Sequence, residues 1–299
     1  MGKVLITGAN GLLGQKLCQN FSPSYPVVAI DLHPQSFIPS PDITYHSLDI
    51  TDREKIFSFV RNHHPDLIVN AAANTDVDGC EMHPKEARAV NVEAVETLVE
   101  ICRKQKIRLF HLSTDYVFDG ENGPYAEDDP PHPVSYYGKT KLESEKAIRS
   151  SGIDFLIVRT NVLYGWGNKV KPNFLLWLLE KLSGGEKIEI VTDQLNNPTL
   201  ADNLSACLLE MAEKNLTGIF HVGGAEYLSR YDFALKVADN FNFEKSLISP
   251  VQTALLAQPA QRPRRGGLKI EKVKKFLKTK LLIVEEGLQL VKREMRDQD

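Results

Sequence analysis

Tyr137 and Lys141 stand four residues apart in the run Tyr137-Gly138-Lys139-Thr140-Lys141, so a helix through them sets a phenol and an ammonium on one face. A lysine charge held beside a tyrosine hydroxyl stabilises the phenolate and draws its acidity towards neutral pH. A tyrosine tuned in this way protonates a developing alkoxide. Such a pair also arises by chance on surface helices, so its neighbours decide the chemistry. Upstream, Ser113-Thr114-Asp115-Tyr116 closes the apolar pattern Leu109-Phe110-His111-Leu112 and puts two hydroxyls at a strand end. Thr114 there would hydrogen-bond a substrate carbonyl together with Tyr137; a plain strand-end hydroxyl is the competing reading.

A proton donor of this kind acts beside a hydride donor, and the N-terminal segment offers a place for one. Thr7-Gly8-Ala9-Asn10-Gly11-Leu12-Leu13-Gly14 lies between the strand pattern Val4-Leu5-Ile6 and a helical pattern. Gly8 permits a tight turn, Gly11 lets the backbone approach a pyrophosphate at the positive end of the helix, and Gly14 lets that helix pack on the sheet. The spacing departs from the Gly-x-Gly-x-x-Gly dinucleotide fingerprint while keeping its mechanics. On this reading Gly8, Asn10, Gly11, Leu12, Leu13 and Gly14 hold a nicotinamide dinucleotide. Asp31 ends the second strand, where its carboxylate would accept hydrogen bonds from the adenosine ribose and repel a 2′-phosphate. That favours NAD(H), although Lys3 and His33 are near enough in sequence or space to offset the charge and leave NADP(H) open. Asp49 and Ile50, past the third strand, are placed at the adenine, and Asp49 would serve as well as the cap of the next helix. Ala71, Ala72 and Ala73, after Asn70, would let a ring or ribose lie close to the backbone; small-residue packing explains them too.

Positioning these groups calls for alternating strands and helices. In the first half short β-branched runs alternate with helical patterns, the mark of βαβ units and a parallel sheet. Strands are expected at Val4-Leu5-Ile6, Val27-Val28-Ala29-Ile30, Leu67-Ile68-Val69, Leu109-Phe110-His111-Leu112 and Phe155-Leu156-Ile157-Val158, with a helix over 12–21 between the first two. Thr51-Asp52-Arg53-Glu54 reads as a capping box with Thr51 as its cap. A helix is expected to start at Pro84 and run through Val90, Ala94, Val95 and Leu98 towards Cys102. Residues 119–133 read as a surface loop leading into the Tyr137 helix. Beyond Arg159 the alternation weakens, with an apolar helix over 174–182 and a polar stretch from Asp193-Gln194 to Pro198-Thr199. A helical pattern over 200–212 and the strand pattern Gly218-Ile219-Phe220-His221-Val222 return the chain to the sheet, and a further helix follows Tyr231. Residues 1–162 and 196–223 are expected to form a dinucleotide-binding domain, and 163–195 and 224–299 a smaller substrate-binding domain, with no single linker.

Composition narrows the partners. With 299 residues, 42% hydrophobic and 25% charged, the chain reads as ordinary globular protein. A net charge of −3 from 36 basic and 39 acidic residues lacks the footprint of a nucleic-acid binder. The apolar runs fall well short of the roughly 20 residues that cross a bilayer, and no signal-peptide core precedes the first strand. Cys18, Cys80, Cys102 and Cys207 have no metal-ligand spacing, so no metal is expected and the thiols read as reduced, in a cytoplasmic protein. His63-His64 before Pro65 reads as a surface turn. Arg262-Pro263-Arg264-Arg265 is a compact basic loop suited to bidentate phosphate recognition, with a solvated turn as its alternative. Over 269–280, Ile270, Val273, Phe276 and Leu277 recur at helical spacing among lysines, as in a core-packed helix with a wet basic face.

With these pieces placed, the chain resembles the extended short-chain dehydrogenase/reductases, and among them the dTDP-4-dehydrorhamnose reductases, over nearly its whole length. The likeness rests on Thr7-Gly8-x-x-Gly11-x-x-Gly14, Val69-Asn70-Ala71-Ala72-Ala73, Ser113-Thr114-Asp115-Tyr116-Val117-Phe118, Tyr137-Gly138-x-Thr140-Lys141, Asp193-Gln194 with Pro198-Thr199, and Arg262-Pro263. The resemblance implies a Rossmann-type doubly wound parallel sheet with a smaller, discontinuous α/β substrate domain. It implies that Thr114, Tyr137 and Lys141 are the catalytic group, and that Tyr137 and Lys141 also hold the cofactor. It places Thr75, Val77, Asp115, Tyr116, Val162 and Arg262 on a sugar-nucleotide substrate. The implied reaction takes a hydride from NAD(P)H to C4 of a 4-keto-6-deoxy sugar nucleotide, first of all dTDP-4-dehydrorhamnose, while Tyr137 protonates the oxygen. Two positions depart from those reductases. Val162 stands where they carry a tryptophan that packs on the sugar, with Trp166 close by as a substitute, and Lys16 stands where some carry an acid of a dimer-interface magnesium site. A metal-bound dimer of that kind is not expected; a homodimer of another kind stays open. The β regulatory subunit of methionine adenosyltransferase is similar in the same motifs, so the alternatives are a non-catalytic cofactor-binding role and another sugar-nucleotide epimerase or dehydratase activity.

Overall fold

The computed structural model describes residues 2–38, 40 and 42–296. Six strands of its central sheet come from the first half: β1 (Val4–Thr7), β2 (Val27–Asp31), β3 (Ile43–Ser47), β4 (Leu67–Asn70), β5 (Arg108–Thr114) and β6 (Phe155–Thr160). They lie in the order β3-β2-β1-β4-β5-β6, all parallel, and the chain reverses direction of growth at β1. The strand residues sort by parity, as a two-residue period requires. Val4, Ile6, Val27, Ala29, Leu67, Val69 and Phe110 enter the core on one face, whereas Leu5, Val28, Ile30, Ile68 and Leu109 enter the core on the other. A sheet covered on both faces needs these uninterrupted apolar runs.

Helix α1 (Leu12–Phe21) covers the first face, and α2 (Arg53–His63) and α5 (Ala94–Gln105) cover the second, with α3 (Val77–Met82) and α4 (Pro84–Arg88) before α5 and α6 (Tyr136–Arg149) after β5. The cap of α2 is Asp52, whose side chain accepts from the Lys55 amide at 3.1 Å. Thr51, expected as the cap, instead gives its amide and hydroxyl to Asp49. The helix expected from Pro84 to Cys102 is interrupted by a π-helical turn over Ala89–Glu93. Extra residues of this kind re-aim one side chain without ending the helix, and here that side chain is Asn91. His64 closes α2 in the left-handed conformation, while His63 stacks on Phe59 at 4.0 Å.

The second half begins with β7 (Leu163–Tyr164), α7 (Phe174–Ser183), β8 (Ile188–Val191), β9 (Leu195–Asn196) and β10 (Thr199–Leu200). Then α8 (Ala201–Glu213) packs on α1, and β11 (Gly218–His221) adds a seventh parallel strand beside β6. The remainder comprises β12 (Leu228–Ser229), α9 (Arg230–Phe241), β13 (Ile248–Val251), α10 (Glu271–Phe276) and α11 (Val284–Arg296). Three two-stranded pairs, β7 with β10, β8 with β13 and β9 with β12, stand apart from the main sheet. Leu175, Leu178, Phe233, Val237, Leu288 and Val291 join α7, α9 and α11 in their own core.

Three expectations are corrected. Helix α10 stops at Phe276, which is exposed, while Ile270, Val273 and Leu281 lie in the core of the main sheet. Residues 270–281 therefore pack with the first domain and not with the second, because their apolar side chains complete the cover over β11. Residues 119–133 are not all surface: Tyr125 is buried, stacks on Phe118 at 4.3 Å and bridges to Leu268. Lys3 sits at the amino ends of the strands, where its ammonium bonds the His63 carbonyl at 2.7 Å, at the opposite end of the sheet from Asp31. Lys16 is spent internally: buried, it pairs with Asp202 of α8 at 2.9 Å and with Glu294 of α11.

Candidate active site

The carboxyl ends of β1, β2, β4 and β5 meet where the strand order reverses, the usual position of a ligand crevice in an open α/β sheet. At β1 the chain turns through Gly8, whose φ of +67° suits glycine, and a Cβ there would lie 2.7 Å from the Ala72 amide nitrogen. A Cβ at Gly14 would overlap the Gly8 carbonyl and stand 2.7 Å from Ala9 Cα, so α1 reaches the loop only without one. Gly11 is the N-cap of α1 and offers no side chain, which leaves the first-turn amides, Leu12 and Leu13 among them, pointing out of the positive helix end. The cradle and the uncapped amides fit a dinucleotide pyrophosphate.

Other residues expected at the cofactor take different parts. The Asn10 side chain is buried and staples the segment after β2: its amide donates to the Gln35 carbonyl at 2.9 Å and to Tyr45, and its oxygen accepts from Phe37. Asn10 therefore supports the loop, and its side chain is not presented to a ligand. Asp31 Oδ2 accepts from the Asn10 amide at 3.0 Å, and Oδ1 from His33, with lone pairs left over. Leu13 and Ile50 turn their side chains into the two cores, and Asp49 serves the turn before α2. Ala71, Ala72 and Ala73 follow β4, with the Ala72 amide donating to Thr7 Oγ1 at 3.2 Å.

Beneath this floor runs one buried hydrogen-bonded chain. Lys141 Nζ lies 3.1 Å from His111 Nε2, His111 Nδ1 lies 3.1 Å from the Asn70 carboxamide, and that carboxamide meets Thr7 Oγ1 at 2.6 Å. The Asn70 oxygen accepts the Thr7 hydroxyl proton, and its amide nitrogen faces His111 Nδ1. Burial lowers Lys141 to about 8, opposed by Glu145, and holds His111 well below the usual histidine range. Asn91, turned inward by the π-helical turn, clasps both the amide (2.8 Å) and the carbonyl (3.0 Å) of Asn74 and donates to Thr140. Deeper still, Glu145 of α6 and Arg159 of β6 form a fully buried bidentate pair at 2.7 and 2.9 Å, and Ser113 donates to the same carboxylate. Ser113 thus faces the core, and Thr114 alone of the two hydroxyls faces Tyr137.

Tyr137 is buried beside Tyr116, ring centroids 5.6 Å apart. Its acidity departs from the sequence expectation. Burial pushes the phenol well up, Thr114 pulls it down, and Tyr116, Asp115 and Cys80 push it up again, so Tyr137 keeps its proton at neutral pH. Lys141 has His111 as its hydrogen-bond partner.

Tyr116 opens onto a cleft of about 530 Å³, lined also by Thr75, Val77, Phe174, Trp177 and Arg230. Asp115 lies behind Tyr116, buried, accepting from the Gly267 amide at 3.1 Å and from Asn161. It ties the segment after Arg262 to β5 and does not line the cleft. Val162 does not line it either: its backbone has a φ of +37°, strained for a β-branched residue, and its carbonyl accepts from Thr199. Trp166 and Trp177 both pack against the second core, and Trp177 is the one that lines the cleft. Arg262 reaches the cleft with its fork already filled by Asp78, at 2.6 and 2.7 Å, and Arg264 faces Asp193.

Comparison with known proteins gives this geometry a family. The profile described as RmlD substrate binding domain matches residues 2–296. The chain belongs to that family. A probable low-salt glycan biosynthesis reductase, Agl14, from Haloferax volcanii is 36% identical over 90% of this chain and 90% of its own. Methionine adenosyltransferase 2 subunit beta from Bos taurus is 31% identical over 89% of this chain and 80% of its own. Among solved structures, a dTDP-4-dehydrorhamnose reductase from Bacillus anthracis str. Ames in complex with NADP matches with a TM-score of 0.88 at 28% identity, covering 98% of this chain and 100% of that one. The family resemblance and the fold class expected from the sequence are borne out.

Several residues of this RmlD-family site escaped the sequence. His111 and Asn91 carried only strand and helix periodicity, and nothing local marked the first as a lysine's partner. Phe174, Trp177 and Arg230 fall in helical patterns whose apolar spacing explains them equally as core. Arg230 directly precedes Tyr231, at the head of α9, where a cation opposes the helix dipole. That misfit was the one signal available.

Proposed function

We propose that the protein reduces the C4 carbonyl of a nucleotide-activated 4-keto-6-deoxy sugar, with dTDP-4-dehydrorhamnose to dTDP-L-rhamnose as the first case. The coarser statement, an NAD(P)-dependent oxidoreductase, stands on the family and on the reductases it resembles. One observation carries the finer one: Tyr137, kept protonated by burial and next to Thr114, packs on Tyr116, which lines a cleft of about 530 Å³.

The amides at the head of α1 would hold the pyrophosphate, Asp31 the adenosine ribose, the backbone of Ala71, Ala72 and Ala73 the central part, and Lys141 the nicotinamide ribose. A bound nicotinamide supplies the hydride. Tyr137 Oη holds the proton delivered to the carbonyl oxygen, and its burial keeps that proton in place until charge develops on the substrate. Thr114 Oγ1 orients the same oxygen, and the Lys141 ammonium, fixed by His111, favours negative charge nearby. Thr75, Val77 and Tyr116 would bound the sugar, excluding water from the transfer. Asp31 favours NADH by charge, with no neutralising Lys3 at hand.

Purified protein given dTDP-4-dehydrorhamnose with NADPH or NADH should oxidise the cofactor. No turnover with either cofactor rejects this substrate and moves attention to other 4-keto sugar nucleotides. The likeness to the bovine subunit defines the alternative, a cofactor-binding regulatory protein. Silence with every such sugar nucleotide, together with altered kinetics of a methionine adenosyltransferase, would favour that alternative.

A further inference from the structure

Two arginines reach the cleft, and they are in opposite electrostatic states. The Arg262 fork is closed by Asp78, which also accepts from the Ala260 amide at 2.9 Å, so this pair latches the loop before Arg262 to α3. Arg230 has no carboxylate within 4.0 Å among the described residues. Its guanidinium carbon stands 4.8 Å over the Phe174 ring, and Phe174 is stacked on Trp177 with centroids 6.0 Å apart and planes 14° from parallel. Its backbone is fixed as well, by the Gln194 carbonyl at 3.1 Å and by the Ser229–Asp232 capping box.

A half-buried cation with no carboxylate in salt-bridge contact among the described residues, placed at the positive end of a helix, is disfavoured twice over in the free protein. An anion in the cleft relieves both. The order along the wall gives the anion its place. Tyr137 and Tyr116 stand at one end, Phe174 and Trp177 at the other, and the Arg230 charge reaches Tyr116 and Asp115 from between them. That is the order carbonyl-bearing sugar, diphosphate, base.

We infer that Arg230 is the residue that holds the substrate's diphosphate, with Phe174 and Trp177 as the platform for the base, while Arg262 acts only as a latch on the wall. This rests on the sugar-nucleotide reading of the cleft. Guanidinium and diphosphate match as a planar fork on paired oxygens, which an ammonium reproduces only in part.

The test is calorimetric binding of dTDP and UDP, each beside its nucleoside, to the full-length wild type and to Arg230→Gln, Arg230→Lys and Arg262→Gln. For the diphosphate that binds, Arg230→Gln should weaken affinity about 10- to 100-fold, Arg230→Lys by less, and Arg262→Gln least, with the nucleoside and NADPH hardly affected by Arg230→Gln. Wild-type protein that binds neither diphosphate overturns the inference. So does Arg230→Gln binding as the wild type does, losing nucleoside and diphosphate equally, or being outdone by Arg262→Gln. Arg230-dependent binding without turnover of any 4-keto sugar nucleotide would leave the anchor standing and remove the reductase reading alone.

Discussion

The wall beneath the glycine loop and the wall beyond Tyr116 are built differently. The first is made of strand ends from one parallel sheet, joined by the chain from Lys141 through His111 and Asn70 to Thr7 and by the buried Glu145–Arg159 pair. The second is made of the four-residue β8, the first turns of α7 and α9, and a loop latched by Asp78 and Arg262. In the first, side chains are locked from several sides and buried; in the second, Phe174, Trp177, Arg230 and Arg262 are only partly buried. A catalytic group gains from the rigid wall, because proton transfer tolerates little displacement. A binding surface tolerates the looser one, and gains from it the freedom to vary its ligand.

Changes on the rigid wall should therefore cost turnover or stability, and changes on the looser wall should cost affinity. The largest effect is expected for Tyr137→Phe: kcat falls about 10²- to 10⁴-fold, while thermal stability and NADPH affinity stay near wild type. Wild-type turnover in this variant would move the proton donor elsewhere. Next, Glu145→Ala leaves Arg159 charged and buried without its partner, and should lower unfolding free energy by about 3–5 kcal/mol, read from the denaturant midpoint. A loss below about 1 kcal/mol would mean that water reaches the pair and that the wall is less rigid than its burial indicates.

Lys141 gives the comparison a pH dependence. The side chain is ordinarily protonated up to 10.5, but in the folded protein only up to about 8, so between these values the unfolded chain binds more protons and stability rises with pH. Below about 8 both states are charged and the penalty is constant. Relative to Lys141→Met, the cofactor-free wild type should gain about 3 kcal/mol across this window; a flat difference would show an ammonium that is solvated. The smallest effect is expected on the looser wall. Asp78→Asn weakens the latch on Arg262, whose fork now holds Asp78 below the usual carboxylate range. It should raise KM several-fold with kcat within about twofold and speed amide exchange over 256–262. A fall in kcat of the Tyr137→Phe size would erase the distinction between the walls.

The sheet was legible because its signals are local. Apolar runs with a two-residue period, glycines between a strand and a helix, and a strand ending on Asp31 each report their own surroundings. Boundaries set by competition were less so: Thr51 and Asp52 both suit a cap, and only the turn geometry at Asp49 chose between them. The π-helical turn at Asn91 was invisible, since an inserted residue shifts the apolar phase too little to break a helical pattern. Residues 270–281 were assigned to the wrong core because an apolar helix face does not name the surface it will cover.

What the sequence determined by itself is the α/β sheet, the cradle at Gly8, Gly11 and Gly14, and the pairing of Tyr137 with Thr114 at neighbouring element ends. Tertiary structure alone decided the charge states and the cleft. Lys141 turned out to be held by His111, thirty positions earlier in the chain, and Tyr137 to be kept protonated by burial. Arg262 was filled by Asp78, leaving Arg230 as the cleft arginine without a carboxylate partner among the described residues. The reason is physical: whether a charge is paired or desolvated depends on groups distant in sequence, and spacing along the chain carries no record of them.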